Sequence, residues 1–145
     1  MTQTQTAEEI IALLRLEPHP EGGHYRQTWV AEAPNGDRPA GTCIYFLLKA
    51  KDRSHWHRVD ADEIWLWHAG APLELSISPD AAGPREDHRL GPDLTGPERP
   101  QIIVPAHHWQ AARSLGDWTL VSCTVSPGFR FEGFELAAPG FDIHR

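Results

Sequence analysis

The sequence predicts an all-β barrel of short strands preceded by one short helix. Three observations carry that expectation. Thirteen prolines and twelve glycines, all downstream of Glu17, cut the chain into short segments. Within those segments apolar and polar residues alternate, the period of a half-buried strand. Helical spacing occurs only near the start, where Ile10, Leu13 and Leu14 recur at intervals of three and four. Short strands at regular spacing with turn signals between them indicate a sandwich or a closed barrel.

The helix is expected over about residues 6–16. Thr6, with Glu9 three positions on, forms a capping box that satisfies two free backbone donors. Pro18 and Pro20 end it, because each lacks a donor and biases the preceding residue away from helical geometry. The barrel then runs over about residues 24–136. Its expected strands are 25–31, 41–48, 54–58, 63–68, 73–78, 86–90, 101–104, 109–113, 118–125 and 131–136. Asn35-Gly36-Asp37 reads as a tight turn, and Pro79 to Gly83 and Gly91 to Pro100 read as loops. The tail after Pro139 is expected to pack as an irregular arm. At 145 residues the chain fits one domain spanning 1–145.

Composition excludes several function classes. A net charge of -7 with no dense basic run is wrong for binding a phosphate backbone. The segment Met1 to Leu16 holds acids and no continuous apolar stretch, so neither a signal peptide nor a membrane span is expected, and the location is expected to be cytoplasmic. Cys43 and Cys123 sit in alternating apolar segments without a Cys-x-x-Cys partner, the pattern of reduced, buried thiols.

The chemistry is expected around Ser54-His55-Trp56-His57-Arg58. Positions i and i+2 of a strand project from one face, so both imidazoles could reach one point. Glu63 follows at the start of the next strand, where a hairpin can bring its carboxylate beside them. Two histidines and a carboxylate suit one divalent transition metal such as iron, manganese, nickel or zinc. The competing reading has no metal: His55 or His57 is a general base, with Glu63 or Tyr45 orienting it or serving as acid.

His55-x-His57, Glu63 and Gly70 in that order resemble the first motif of the cupin superfamily, with a longer gap before the glutamate. Pro105-Ala-His107-His108-Trp-Gln110 resembles the second motif, with His107 in place of its glycine and Gln110 in place of its final histidine. The blocks His19-Pro-Glu-Gly-Gly-His-Tyr-Arg-Gln-Thr28, Thr42-Cys-Ile-Tyr-Phe-Leu-Leu48, Asp62-Glu-Ile-Trp65, Gly70-Ala-Pro-Leu-Glu-Leu75 and Val104 to Gln110 are together similar to the uncharacterised fifth cupin family. That resemblance implies a jelly-roll barrel with an open cavity, commonly a homodimer. It also implies a metal site at His55, His57, Glu63 and Gln110, although an amide oxygen is a weaker ligand than imidazole.

The remaining candidates have a bland reading beside the functional one. Trp65 and Trp67 share the face of Glu63 and are candidate pocket walls, whereas Trp56 reads as packing; core packing is the commoner use of all three. Arg26 either contacts an anionic group on a ligand or pairs with an acidic neighbour. His108 shares a face with Gln110 and is a substitute ligand or, like His107, a loop histidine. Glu21-Gly22-Gly23 is either a loop at the cavity mouth or an inert turn. His19, His24, His68, His88 and His144 have no partner spacing. The expectation is an enzyme acting on a small polar metabolite, a carbohydrate or organic acid, with a metal or as a metal-free epimerase or isomerase. The alternative is a non-catalytic module that binds a small ligand.

Overall fold

The structure is a computed structural model that describes residues 5–145; residues 1–4 of the segment expected to carry no leader lie outside it. Two antiparallel sheets face each other. The strands in chain order are β1 (Glu17–Pro18), β2 (His24–Val30), β3 (Thr42–Lys49), β4 (Ser54–Val59), β5 (Asp62–Gly70), β6 (Leu73–Ser78), β7 (Glu86–Leu90), β8 (Gln101–Val104), β9 (Trp109–Ser114), β10 (Trp118–Ser126) and β11 (Phe134–Leu136). The first sheet runs β1-β2-β3-β10-β5-β8 and the second β11-β4-β9-β6-β7. No described helix is long and apolar enough to cross a membrane.

The expected strands are present with shifts of a residue or two, and two differences are larger. Glu17–Pro18 forms a short extra edge strand against Tyr25 and His24. The last strand keeps only Phe134–Leu136, because Phe131–Gly133 closes into a 3-10 turn. The helix α1 (Ala7–Leu14) carries the expected capping box, the Glu9 N–H donating to Thr6 Oγ1 at 3.2 Å. It stops at Arg15, which takes a left-handed conformation (φ 57°) and donates its N–H to the Ala12 carbonyl.

Strand parity decides what each residue of β3 meets. Ile44, Phe46 and Leu48 point between the sheets, while Tyr45 and Leu47 point outward, where Ala7 and Ile10 of α1 cover them. The space between the sheets is unequally filled. At one end Phe46, Leu48, Trp65, Leu73, Leu75 and Leu90 pack into a continuous core. Farther along the same strands Ile44, Glu63 and Val125 replace these large residues, and the barrel opens into a cavity.

The second sheet contains a β-bulge that matters for the site. Ser54 pairs with Ala112 and His57 with Gln110, so β4 advances three residues while β9 advances two. Ser54 and His57 therefore both face inward, and Trp56 faces outward onto Trp109, Ala111 and Ile143. The C-terminal arm covers that outer face: the Ala137 N–H donates to the Trp56 carbonyl, and Trp56 Nε1 donates to Asp142 at 2.9 Å.

Candidate active site

The cavity at the open end holds about 140 Å³. Its polar wall is Glu21, His57 and Glu63, with His19, Gln27 and Cys123 beside them; Phe129, Phe131 and Phe134 form an aromatic rim. Glu21 reaches the cavity because the loop before β2 is pressed onto the turn between β3 and β4. The His55 N–H donates to the Glu21 carbonyl at 2.9 Å. Gly22 has φ 111°, and a Cβ there would collide with the Arg53 carbonyl, so only glycine fits.

Glu21 and His57 form a buried pair. Ser54 Oγ donates to Glu21 Oε1 at 2.6 Å, and Glu21 Oε2 lies 3.2 Å from His57 Nε2. His57 Nδ1 lies 2.8 Å from the His55 carbonyl, which can only accept, so Nδ1 carries a proton and Nε2 of the neutral ring is a lone pair. Burial pushes the Glu21 carboxyl up to about 8, against the Ser54 bond. Burial also pushes the His57 imidazole below its ordinary value, although the Glu63 charge and the bond to His55 oppose that. Both shifts favour the neutral pair, with the Glu21 acid donating to His57 Nε2. His19 accepts the Glu21 N–H at Nδ1 (3.1 Å), and burial together with His57 lowers it to about 4. The 3.9 Å approach of that nitrogen to Glu21 Oε2 is therefore not an ion pair.

Glu63 is the second carboxyl. Burial pushes it up to about 7, with His57, Gln110 and Cys123 pulling it down and Glu21 adding to the rise. Gln110 holds it in a fixed sense. Trp65 Nε1 donates to Gln110 Oε1 at 2.8 Å, and an indole N–H can only donate. The amide oxygen is thereby committed, and Gln110 Nε2 must donate to Glu63 Oε1, 2.9 Å away. The Cys123 thiol, also buried, is pushed well up.

The structure brings His57, Glu63 and Gln110 together and moves other expected residues away. His55 is the clearest correction: the bulge breaks the two-residue alternation, and its Nε2 meets the Ala138 carbonyl at 2.9 Å, outside the cavity. Tyr45 lies on the outer face against α1. Arg26 is exposed on the outward face of β2, where Nη1 donates to the Leu14 carbonyl at 3.4 Å. Trp65 and Trp67 do point between the sheets, but they fill the closed end and line no part of the cavity. His107 and His108 sit in the turn before β9; His107 takes φ 68° and donates its N–H to the Val59 carbonyl.

The expected metal ligands therefore do not fit a divalent ion. His55 points elsewhere, the Gln110 oxygen serves Trp65, and His57 Nε2 faces Glu21. Among the described residues no three His, Cys, Asp or Glu side chains are placed to share one.

His19 and Glu21 line the cavity without being placed there by strand or helix spacing, although one of the two sequence readings of Glu21-Gly22-Gly23 is a loop at the cavity mouth. They lie in an irregular loop, where neither period applies, and the available signal was Gly22-Gly23, which marks a close backbone approach. The aromatic rim is not predicted either: Phe129 lies in a loop, and Phe131 in a 3-10 turn where the sequence indicates a strand over 131–136. It is held in place by Arg38, which donates to the Gly128 carbonyl at 2.8 Å and bidentately to Asp60 at 2.7 and 3.1 Å.

Residues 8–137 match the family described as Cupin superfamily (DUF985). No curated protein matches the chain. Among solved structures, a protein from Shewanella oneidensis is 42% identical, with 93% of this chain and 86% of that chain covered and a TM-score of 0.87. A hypothetical protein from Leishmania major is 32% identical, covering 94% and 90%, with a TM-score of 0.84. Oxalate decarboxylase from Bacillus subtilis is 16% identical, covering 82% of this chain and 29% of that chain at a TM-score of 0.62, a likeness of fold alone.

Proposed function

The chain belongs to the DUF985 family of the cupin superfamily, and from that footing we propose that it is an enzyme that transfers protons on a small substrate without a metal ion. One observation carries the reading: two proton carriers, Glu63 and the Glu21–His57 pair, each held by its own hydrogen bonds, face the same cavity. A general base works best when its pKa lies near the working pH, and burial puts Glu63 at about 7. Gln110 points a donor at Glu63, which favours the ionised form. Glu63 takes a proton from the substrate, the Glu21–His57 pair returns one at a second atom, and exchange with solvent resets both groups. The net change is an isomerisation, one proton leaving the first substrate atom and another arriving at the second. The likeness to oxalate decarboxylase, being one of fold, supports no decarboxylase assignment.

The test is solvent exchange. Protein dialysed against EDTA is incubated in deuterated water with a panel of small ketones, aldoses and ring amines, and deuterium uptake at carbon, beyond that of a protein-free control, is followed by proton NMR. Uptake is expected with or without the EDTA step, and Glu63→Gln should slow it by about 10²- to 10⁴-fold. Exchange that needs added metal, or that survives Glu63→Gln unchanged, refutes the proposal.

A further inference from the structure

The cavity also restricts what can enter, through its charge and its size. Both expected substrate classes, a carbohydrate and an organic acid, meet difficulties there. Among the described residues no lysine or arginine lines the wall, so a carboxylate or phosphate would be buried without a counter-charge, beside two carboxyl groups. A sugar ring carries hydroxyls around its whole edge. The lining beside Glu21 and Glu63 is instead rich in phenylalanine: Phe129 lies 5.1 Å from Phe131 and 5.7 Å from Phe134, ring centroid to ring centroid, in edge-to-face contacts. Phe131 is 61% exposed at the rim, an apolar ring left uncovered where a ligand would enter. A volume of about 140 Å³ is close to the roughly 150 Å³ that accommodates one benzene ring.

We propose that the ligand is a single flat ring bearing an amidine-like nitrogen edge, neutral or cationic, with that edge directed to Glu21 and Glu63 and its faces to the phenylalanine rim. A carboxyl matches paired N–H donors in two parallel hydrogen bonds, and a carboxyl that keeps its proton can also donate to a bare ring nitrogen. The proposal rests on the proton-transfer reading of the same site, since such an edge presents exchangeable protons to both carriers.

Three isosteric probes test it by calorimetry: benzamidine, benzamide and benzoate share one phenyl ring and differ in charge. Benzamidine should bind about tenfold or more tightly than benzoate, with benzamide between them. Glu21→Gln and Glu63→Gln, checked for folding by thermal melting, should each erode the benzamidine preference by about tenfold, because each replaces a carboxyl that matches paired N–H donors with an amide of the same shape that offers only one acceptor oxygen. Phe131→Ala should weaken all three probes alike, by roughly two- to tenfold. Benzoate binding as tightly as benzamidine, or no benzamidine binding at millimolar concentration, overturns the proposal, and the wild-type series decides this even if a variant misfolds. Because no turnover is measured, failure here leaves the solvent-exchange result standing, and loss of exchange leaves the binding order standing.

Discussion

Replacing Gln110 by leucine removes the amide that joins Trp65 to Glu63 while keeping nearly the same volume, so the cost is polar and not a cavity. Two bonds disappear, at 2.8 and 2.9 Å, both fully inside the barrel. The Trp65 indole N–H is left without a partner in the core, at about 1–3 kcal/mol. The Glu63 carboxyl loses a donor, worth about 0.5–1.5 kcal/mol more. A loss of roughly 2–4 kcal/mol follows, which for a chain of this size lowers Tm by about 6–15 °C. Thermal melting of Gln110→Leu, Trp65→Phe and the double variant closes a cycle. The cavity left by Trp65→Phe enters both arms and cancels, and the double variant should cost about 1–2 kcal/mol less than the sum of the singles. Because the Gln110 bond lowers the Glu63 pKa, the titration of Glu63 in Gln110→Leu should also move upward, readable by carboxyl carbon NMR. Strict additivity, or an unchanged Glu63 titration, would refute the argument that Gln110 is held as a donor.

Other consequences are open to direct measurement. Glu21 and Glu63 titrate near 8 and 7 in the fold against 4.5 unfolded, so the folded state holds the extra protons, and their contribution is complete below pH 4.5 and lost as pH rises through 7 and 8. His19 and His57, lowered from 6.5, act oppositely below pH 6.5, so denaturant midpoints should decline chiefly between pH 6.5 and 8, and Glu21→Gln should flatten that decline. A midpoint that rises over this interval contradicts the assignment. His57→Ala should abolish solvent exchange while His55→Ala leaves it within about threefold, since His55 only meets the Ala138 carbonyl; equal losses would place both rings in the site. Gly22→Ala should destabilise by about 1–3 kcal/mol or more from the left-handed backbone alone and should remove Glu21 from the cavity, which a crystal structure or the loss of exchange would show. In native protein Cys123 should resist iodoacetamide at pH 8 while half-buried Cys43 reacts first, as peptide mass mapping would reveal.

Much of the fold is legible in the sequence because proline, glycine and period-two alternation are local signals. The helix start at Thr6 and Glu9, the strand Leu73–Ser78 and the strand Gln101–Val104 all lie where those signals put them. The site is only partly legible. His57 and Glu63 were found because each starts from a strand whose inward face is set by alternation. Gln110 was found as a position but not as a donor, since its orientation depends on an indole 45 residues away in sequence. His55 and Tyr45 illustrate opposite failures. For His55 the alternation itself is interrupted by a bulge that depends on cross-strand pairing. For Tyr45 the alternation is intact, but neither parity nor composition says that a helix covers the outer face. Glu21 and His19 come from a loop, where the chain path is set by one glycine pressed against a distant carbonyl.

The bulge in β4 also bears on how this chain relates to other barrels of its superfamily. One surplus residue between Ser54 and His57 acts as a phase slip in the pleat, so a histidine pair that looks intact in an alignment is split between two surfaces. A cavity assignment transferred by alignment column would hold for His57 and fail for His55. Only His55 and Trp56 lie between the inward-facing Ser54 and His57, so removing one to restore the phase either deletes an imidazole or leaves the two histidines adjacent and on opposite faces.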